Sequence, residues 1–231
     1  MNNFSERNRK VAINRWKKAF EIQTKQLNEN SKKYPRLKAR IIGHLMGDGS
    51  VTIRKEKGIH YHHTIRFYPD DQGMLNSFLE AFLKVYGIKP NVVKFDKYFY
   101  VRTDSKPVVN DLLVNYGSFS STKWLVPNIL INSKGLKQEF LKAFYDCEGY
   151  VGPRAITVQS VNQKGLKQIQ SLLAEFEIKS KMYKYERKNK NWNTNFLLCI
   201  TKKEDRKRFL KTIGFNHLRK QRKLKIYADV A

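Results

Sequence analysis

Only two of the 231 residues are cysteines, Cys147 and Cys199. That is too few for a disulfide framework, and an intracellular, reducing compartment is expected, whether cytoplasm, nucleoid or organelle matrix. No stretch approaches the roughly 20 consecutive apolar residues of a membrane span. The start, Met1-Asn2-Asn3-Phe4-Ser5-Glu6-Arg7, lacks the apolar run of a secretory signal. Also missing are a Walker loop, a dinucleotide fingerprint and a nucleophile elbow. His60, His62 and His63 crowd one stretch, but no cysteine pair or second histidine pair completes a zinc site. Acids are scarce too, 20 against 46 lysines and arginines, for a net charge of +26. Such self-repulsion works against compaction and points to a polyanionic partner, nucleic acid above all. The hydrophobic share of 41% and the chain length allow one large core or two small ones.

What is present is a design used twice. Ile41-Ile42-Gly43-His44-Leu45-Met46-Gly47-Asp48-Gly49 and Leu141-Lys142-Ala143-Phe144-Tyr145-Asp146-Cys147-Glu148-Gly149 are both apolar, helix-like runs. Each carries small residues four apart, Gly43 and Gly47 in one, Ala143 and Cys147 in the other. Residues at i and i+4 share a helix face, so two such helices could pack with their backbones unusually close. The closing glycine suits a left-handed cap. The acid before it is the anomaly, because a carboxylate in the last turn faces the negative end of the helix dipole, and two brought together repel. A cation is the expected remedy.

The two runs resemble the LAGLIDADG homing endonucleases in the form where one chain carries both copies. The first keeps the family's Gly-x-x-x-Gly-Asp-Gly ending, and the second has Phe-Tyr-Asp-Cys-Glu-Gly with Glu in place of Asp. The resemblance extends from about Pro35 to the C-terminus. It implies an α+β fold, a duplicated αββαββα unit with a pseudo-twofold axis. The two motif helices are then central, and two saddle-shaped antiparallel sheets lie in the major groove of DNA.

The residues fit that order independently. A basic helix reads over 5–30 with Ile13, Trp16, Phe20 and Leu27 on one stripe. It can dock through Trp16 and Phe20, add DNA contacts through Arg15, Lys17 and Lys18, or do both. Strands alternate from Val51, turn at Lys57-Gly58, and run through His60 to Tyr68. A helix follows over 70–86 and stops at Gly87. A second hairpin spans 92–103 and a helix lies near 107–116. The second half repeats this, with strands over 150–160 turning at Gly152-Pro153, a helix over 162–176, strands near 180–187 and 194–201, and a helix near 203–213. The expected divisions are a basic extension 1–34, a first repeat 35–116, a linker 117–134 and a second repeat 135–231.

By the resemblance, Asp48 and Glu148 are catalytic acids that hold Mg²⁺, with Mn²⁺ able to substitute, and Gly47 and Cys147 flank them in the metal site. Lys123 and Lys220, in matching places after the fourth strand of each half, are candidate catalytic lysines. Asp146 falls at a position that is structural in the family. The polar strand faces nominate DNA-binding residues: Arg54, His60, His62, Arg66, Tyr100 and Arg102 in the first half. Arg154, Thr157, Gln159, Lys184, Asn195 and Thr201 are the second-half set. The activity implied is hydrolysis of both strands of a long asymmetric site by a monomer, across the minor groove, with short 3′ overhangs. The enzyme is expected to be intron-encoded or free-standing. An intron-RNA-binding maturase and a catalytically silent DNA-binding regulator are the alternatives. The ending Asp229-Val230-Ala231, without the His-Asn of a splicing domain, argues against an enzyme embedded in one.

Overall fold

The computed structural model describes residues 3–56, 60–185 and 193–228, apart from the side chains of Asn3, Phe4, Ser5, Arg7, Arg9, Trp16, Gln23, Asn28 and His60. The expected turn at Lys57-Gly58 and docking by Trp16 lie outside the described residues. A long helix α1 (Asn3–Lys33) leads into α2 (Pro35–Asp48), with Pro35 in the first turn, where its missing N–H costs nothing. The first half continues as β1 (Gly49–Glu56), β2 (His60–Phe67), α3 (Gln72–Tyr86), β3 (Asn91–Lys94), β4 (Phe99–Asp104) and α4 (Lys106–Tyr116). A 3₁₀ turn at Asn128–Asn132 precedes the second half. That half is α5 (Lys134–Glu148), β5 (Gly149–Val151), β6 (Ile156–Ser160), α6 (Gln163–Glu175), β7 (Lys181–Tyr185), β8 (Asn195–Ile200) and α7 (Lys203–Thr212). A further helix, α8 (Leu218–Tyr227), had not been expected from the sequence.

The sheets are antiparallel and repeat one topology, β1-β2-β4-β3 and β5-β6-β8-β7. Their inner faces alternate as period two requires: Val51, Ile65, Phe67 and Val101 are buried in one, Ile156, Val158, Leu198 and Ile200 in the other. Helices cover those faces, and a single hydrophobic core runs through both halves. The helices between the two hairpins of each half start alike. The Asp71 carboxylate accepts from Gly73 N at 2.8 Å to cap α3, and the Asn162 side chain accepts from Gly165 N at 3.0 Å to cap α6.

Where α1, α2, α3 and α4 meet, a buried lysine ties them together. Lys38, 2% exposed, pairs with Asp111 and donates to Tyr86 Oη at 2.5 Å and Ser31 Oγ at 3.3 Å. Burial lowers its pKa to about 8, and the Asp111 charge opposes that fall.

Candidate active site

The close approach of α2 and α5 places everything else. A Cβ on Gly43 would sit 2.5 Å from Phe140 O and 2.9 Å from Ala143 Cβ, and one on Gly47 would strike Cys147 Cβ. Any side chain there would push the helices apart. Gly43 thus lies against Ala143, and Gly47 against Cys147, so the helices run in the same direction and end together. Neither closing glycine adopts the expected left-handed cap. Gly49 (φ −122°, ψ 176°) and Gly149 (φ −75°, ψ 133°) are extended and pass straight into β1 and β5. Space is what demands glycine there: a Cβ on Gly49 would meet Leu45 Cα at 2.6 Å, and one on Gly149 would press on the Tyr145 and Phe215 rings.

Parallel helices ending side by side superimpose two negative dipole ends, and each adds a carboxylate. Burial raises the pKa of Glu148, and the Asp48 charge raises it further, to about 7, against the pull of Lys220. Asp48 is raised mainly by burial, with Lys220 opposing and Asp70 adding. The Cys147 thiol donates to His44 O at 3.5 Å, and its Sγ lies 3.7 Å from His44 Nδ1. His44 is packed on the Phe67 and Phe78 rings and is kept neutral, its pKa lowered to about 3 by burial.

Lys220 supplies the missing positive charge. Its Nζ donates to Asp146 O at 2.5 Å and Cys147 O at 2.9 Å, capping the orphan carbonyls of α5. The Cys147 carbonyl is therefore already engaged by an ammonium. Two buried acids from different halves aim the lysine by gripping the entry to α8. Asp146, fully buried, accepts from Asn216 N at 2.8 Å, Asn216 Nδ2 at 3.0 Å and His217 N at 2.9 Å. Its pKa is still pushed up to about 6 by burial. Asp71, from the first half, accepts from Leu218 N at 2.9 Å. Buried His217 lies between Asp70 and Asp71, with Nε2 3.2 Å from Asp70 Oδ1 and Nδ1 3.3 Å from Asp71 Oδ2. Lys123 sits differently. It is exposed on the turn 120–123, whose Ser121 rims the depression that holds Glu148.

The polar face of the first sheet carries Arg54, His62, Arg66, Tyr100 and Arg102, all alternating with the core residues. Arg66 faces Arg102 across the ladder, an unfavourable pair that an anion relieves. Meanwhile Arg102 is held by Asp104 at 2.9 and 3.2 Å, and His62 Nε2 lies 2.6 Å from Glu56 Oε2. The side chain of His60 lies outside the described residues. In the second half Thr157, Gln159 and Asn195 line a depression of about 680 Å³ together with Glu148 and Tyr150. Arg154 is in the β5–β6 turn and Thr201 just past β8, and Arg206 Nη1 donates to both backbone carbonyls, at 2.5 and 2.7 Å. Lys184 is on the wrong face. It pairs with Phe196 and shares the parity of Met182, which packs on the core, so Lys181, Tyr183 and Tyr185 occupy the polar side of β7. The register of β8 sets that parity, and β7 read alone could not show it.

Sequence reasoning also passed over Asp70, Asp71 and His217. The two acids were read only as a helix start, and nothing local marks His217 as their partner.

Residues 135–214 match the family model of the LAGLIDADG-like domain. The second half therefore carries a LAGLIDADG-like domain. The repeated strand order around paired motif helices is consistent with the single-chain, two-copy form that the sequence resembled. Among solved structures, a mesophilic-variant study of the homing endonuclease I-DmoI aligns at TM-score 0.60 and 18% identity, over 77% of this chain and 88% of that one. I-DmoI in complex with DNA and Ca aligns at 0.60 and 16%, over 77% and 88%. The N-terminal LAGLIDADG domain of DUF199/WhiA aligns at 0.51 and 15%, over 84% and 90%. At such identities these likenesses show the fold. Two curated relatives are from Methanocaldococcus jannaschii. Glutamine–fructose-6-phosphate aminotransferase is 27% identical over 80% of this chain and 17% of its own length. The replication factor C small subunit is 26% identical over 84% of this chain and 10% of its own length. The chain thus spans less than a fifth of either relative, whose names share no activity.

Proposed function

We propose that the chain is a monomeric, site-specific endonuclease that hydrolyses both strands of a long asymmetric DNA target and leaves short 3′ overhangs. One observation carries this reading. Asp48 and Glu148 are brought together, against their mutual repulsion and two helix dipoles, beside an ammonium and between two polar sheet faces. Binding DNA requires no such pair, and a phosphate nearby makes it worse. One chain already pairs both motif helices, so no second copy is needed.

The donor set fits a hard divalent cation, Mg²⁺ or Mn²⁺, held by Asp48 and Glu148. Among the described residues no cluster of three or more His, Cys, Asp or Glu forms a closed cage. The rest of the shell then belongs to water and substrate oxygens. When bound, such an ion neutralises phosphate charge and acidifies water. The chain's own groups do the rest: Lys220 keeps one of its three N–H donors for a phosphate oxygen or water, since two are on carbonyls. The strand faces fix the register of the duplex, arginines being suited to guanine edges.

The test is to incubate the protein with a random-site DNA library and Mg²⁺ and sequence the ends. Expected are defined ends with 3′ overhangs, lost in Asp48→Asn and Glu148→Gln while gel-shift binding persists. Persistent binding without any cut ends would replace this reading with a silent DNA-binding protein, which the likeness to the DUF199/WhiA domain favours as the second reading. Tighter binding to structured intron RNA than to duplex would favour the maturase.

A further inference from the structure

α1 is 31 residues long, about 46 Å at the helical rise, yet only its last third is embedded. Leu27 is 2% exposed, and Ser31 Oγ accepts from Lys38. Further back, the half-buried Phe20 ring receives the Lys106 ammonium at 5.5 Å. From Glu6 to Ala19 every described side chain is exposed. Residues 3–19 hold six basic residues, among them Lys10, Arg15, Lys17 and Lys18, against the single acid Glu6. Among the described residues this half of the helix has no buried face and so little to hold it in isolation, and its charge calls for a polyanion.

Placement says which polyanion. Lys106 opens α4 directly after β4, and Ser105 N donates to His63 O at 3.1 Å. Beyond His63 the β1–β2 ladder continues to Glu56 and His60 without β4. The exposed half of α1 and the outer rungs of the β1–β2 ladder therefore lie toward the same end of the first sheet. A duplex seated on the polar face and continuing past that end runs beside the arm.

We infer that the exposed half of α1 is a sequence-indifferent clamp on the DNA backbone outside the stretch the sheets cover. This rests on the reading that the sheet faces bind DNA. Its span of about 25 Å matches roughly seven base pairs.

The test uses the full chain without divalent metal and a long random-sequence duplex as probe, across a salt series. The variant combines Lys10→Gln, Arg15→Gln, Lys17→Gln and Lys18→Gln, all at exposed positions. Its log K against log salt slope should be shallower by up to about 3.6 units, at roughly 0.9 per phosphate contact. A gain variant, Asn14→Lys, should steepen the slope by about one unit, which no folding defect imitates. Unchanged slopes in both, with tight duplex binding retained, would overturn the clamp and leave the sheet reading standing. A loss confined to structured RNA would overturn it in favour of an RNA partner. No duplex binding by the parent chain would overturn both readings together.

Discussion

The two halves share a strand order and nearly every helix, but they treat the end that holds the paired acids differently. In the second half, Asp146 is a buried acid that ties down the entry to α8, and α8 delivers Lys220 to the ends of the motif helices. In the first half the corresponding residue is Met46, 3% exposed in the core. The corresponding segment makes a turn and leaves Lys123 in solvent. Each tail also crosses to the other half. Trp124 packs over Gly165 of α6, with its carbonyl accepting from Asn162 Nδ2 at 2.5 Å, while Leu218 N donates to Asp71. Duplication has kept the scaffold symmetric and made the two lysines inequivalent. The chain is therefore one unit held by reciprocal straps, and its two motif-helix ends start from different electrostatics.

The largest effect expected from this comparison is on cutting. Lys220→Met should slow single-turnover cleavage by roughly 10²–10⁴-fold, the range for a positioned proton-transfer or charge-stabilising group. Lys123→Met should cost less than a tenth of that. Equal losses would show that Lys123 moves in when DNA binds, and the asymmetry would then belong to the free protein only.

Next comes stability. Asp146→Ala strips the acceptor from two backbone N–H groups and an amide at a buried corner, a loss of about 3–5 kcal/mol in urea unfolding. The matching change in the first half, Met46→Leu, should cost under about 1.5 kcal/mol. Similar values at the two sites would mean that the strap is not held where the hydrogen bonds say it is.

A smaller, pH-dependent difference tests the paired acids. The pKa of Glu148 is raised to about 7 from 4.5 on folding, so the native state binds the extra proton. The stabilisation is fully present below about pH 4.5 and is lost as pH rises through 7. In metal-free buffer Glu148→Gln should match the wild type near pH 5 and exceed it by about 2 kcal/mol near pH 8. A pH-independent difference in urea midpoints would mean that burial and the Asp48 charge do not raise Glu148.

Much of this was readable from residue order. Period-two runs located the hairpins, and small residues four apart announced the close helix pair. The repeat then coupled Asp48 to Glu148 before any coordinates. What stayed hidden has physical causes. α8 buries Leu224 and is otherwise largely basic, so no apolar stripe betrays it. Two lysines in equal register look alike until one is shown to sit on carbonyls. Lys184 was misplaced because a strand's facing depends on its neighbour's register. The extended cap at Gly49 went unseen because close contact with Leu45, not a positive φ, is what requires glycine there.

The smallest expected effect lies at the ends of α3 and α6, where the halves solve one backbone problem with different residues. Gly87 (φ 64°) ends α3 in the left-handed region, donating to Leu83 O at 2.8 Å. In the matching place Glu177 is held at φ 58°, as a non-glycine residue. A Cβ there meets the carbonyl sterics that make this region costly by about 1 kcal/mol. Arg208 offsets part of that, its Nη1 donating to Glu177 O at 2.5 Å and its Nε lying 3.7 Å from the carboxylate. The carboxylate is mostly exposed, so that ion pair contributes little. Glu177→Gly should therefore stabilise the chain by about 0.5 kcal/mol, the relieved strain less the entropy glycine adds to the unfolded state. Gly87→Ala should destabilise it by about 1 kcal/mol, although nothing stands within 4 Å of the added Cβ, because the strain is in the backbone itself. Thermal melts of the two variants should shift in opposite directions. Shifts of the same sign would mean that the two helix ends are not equivalent after all.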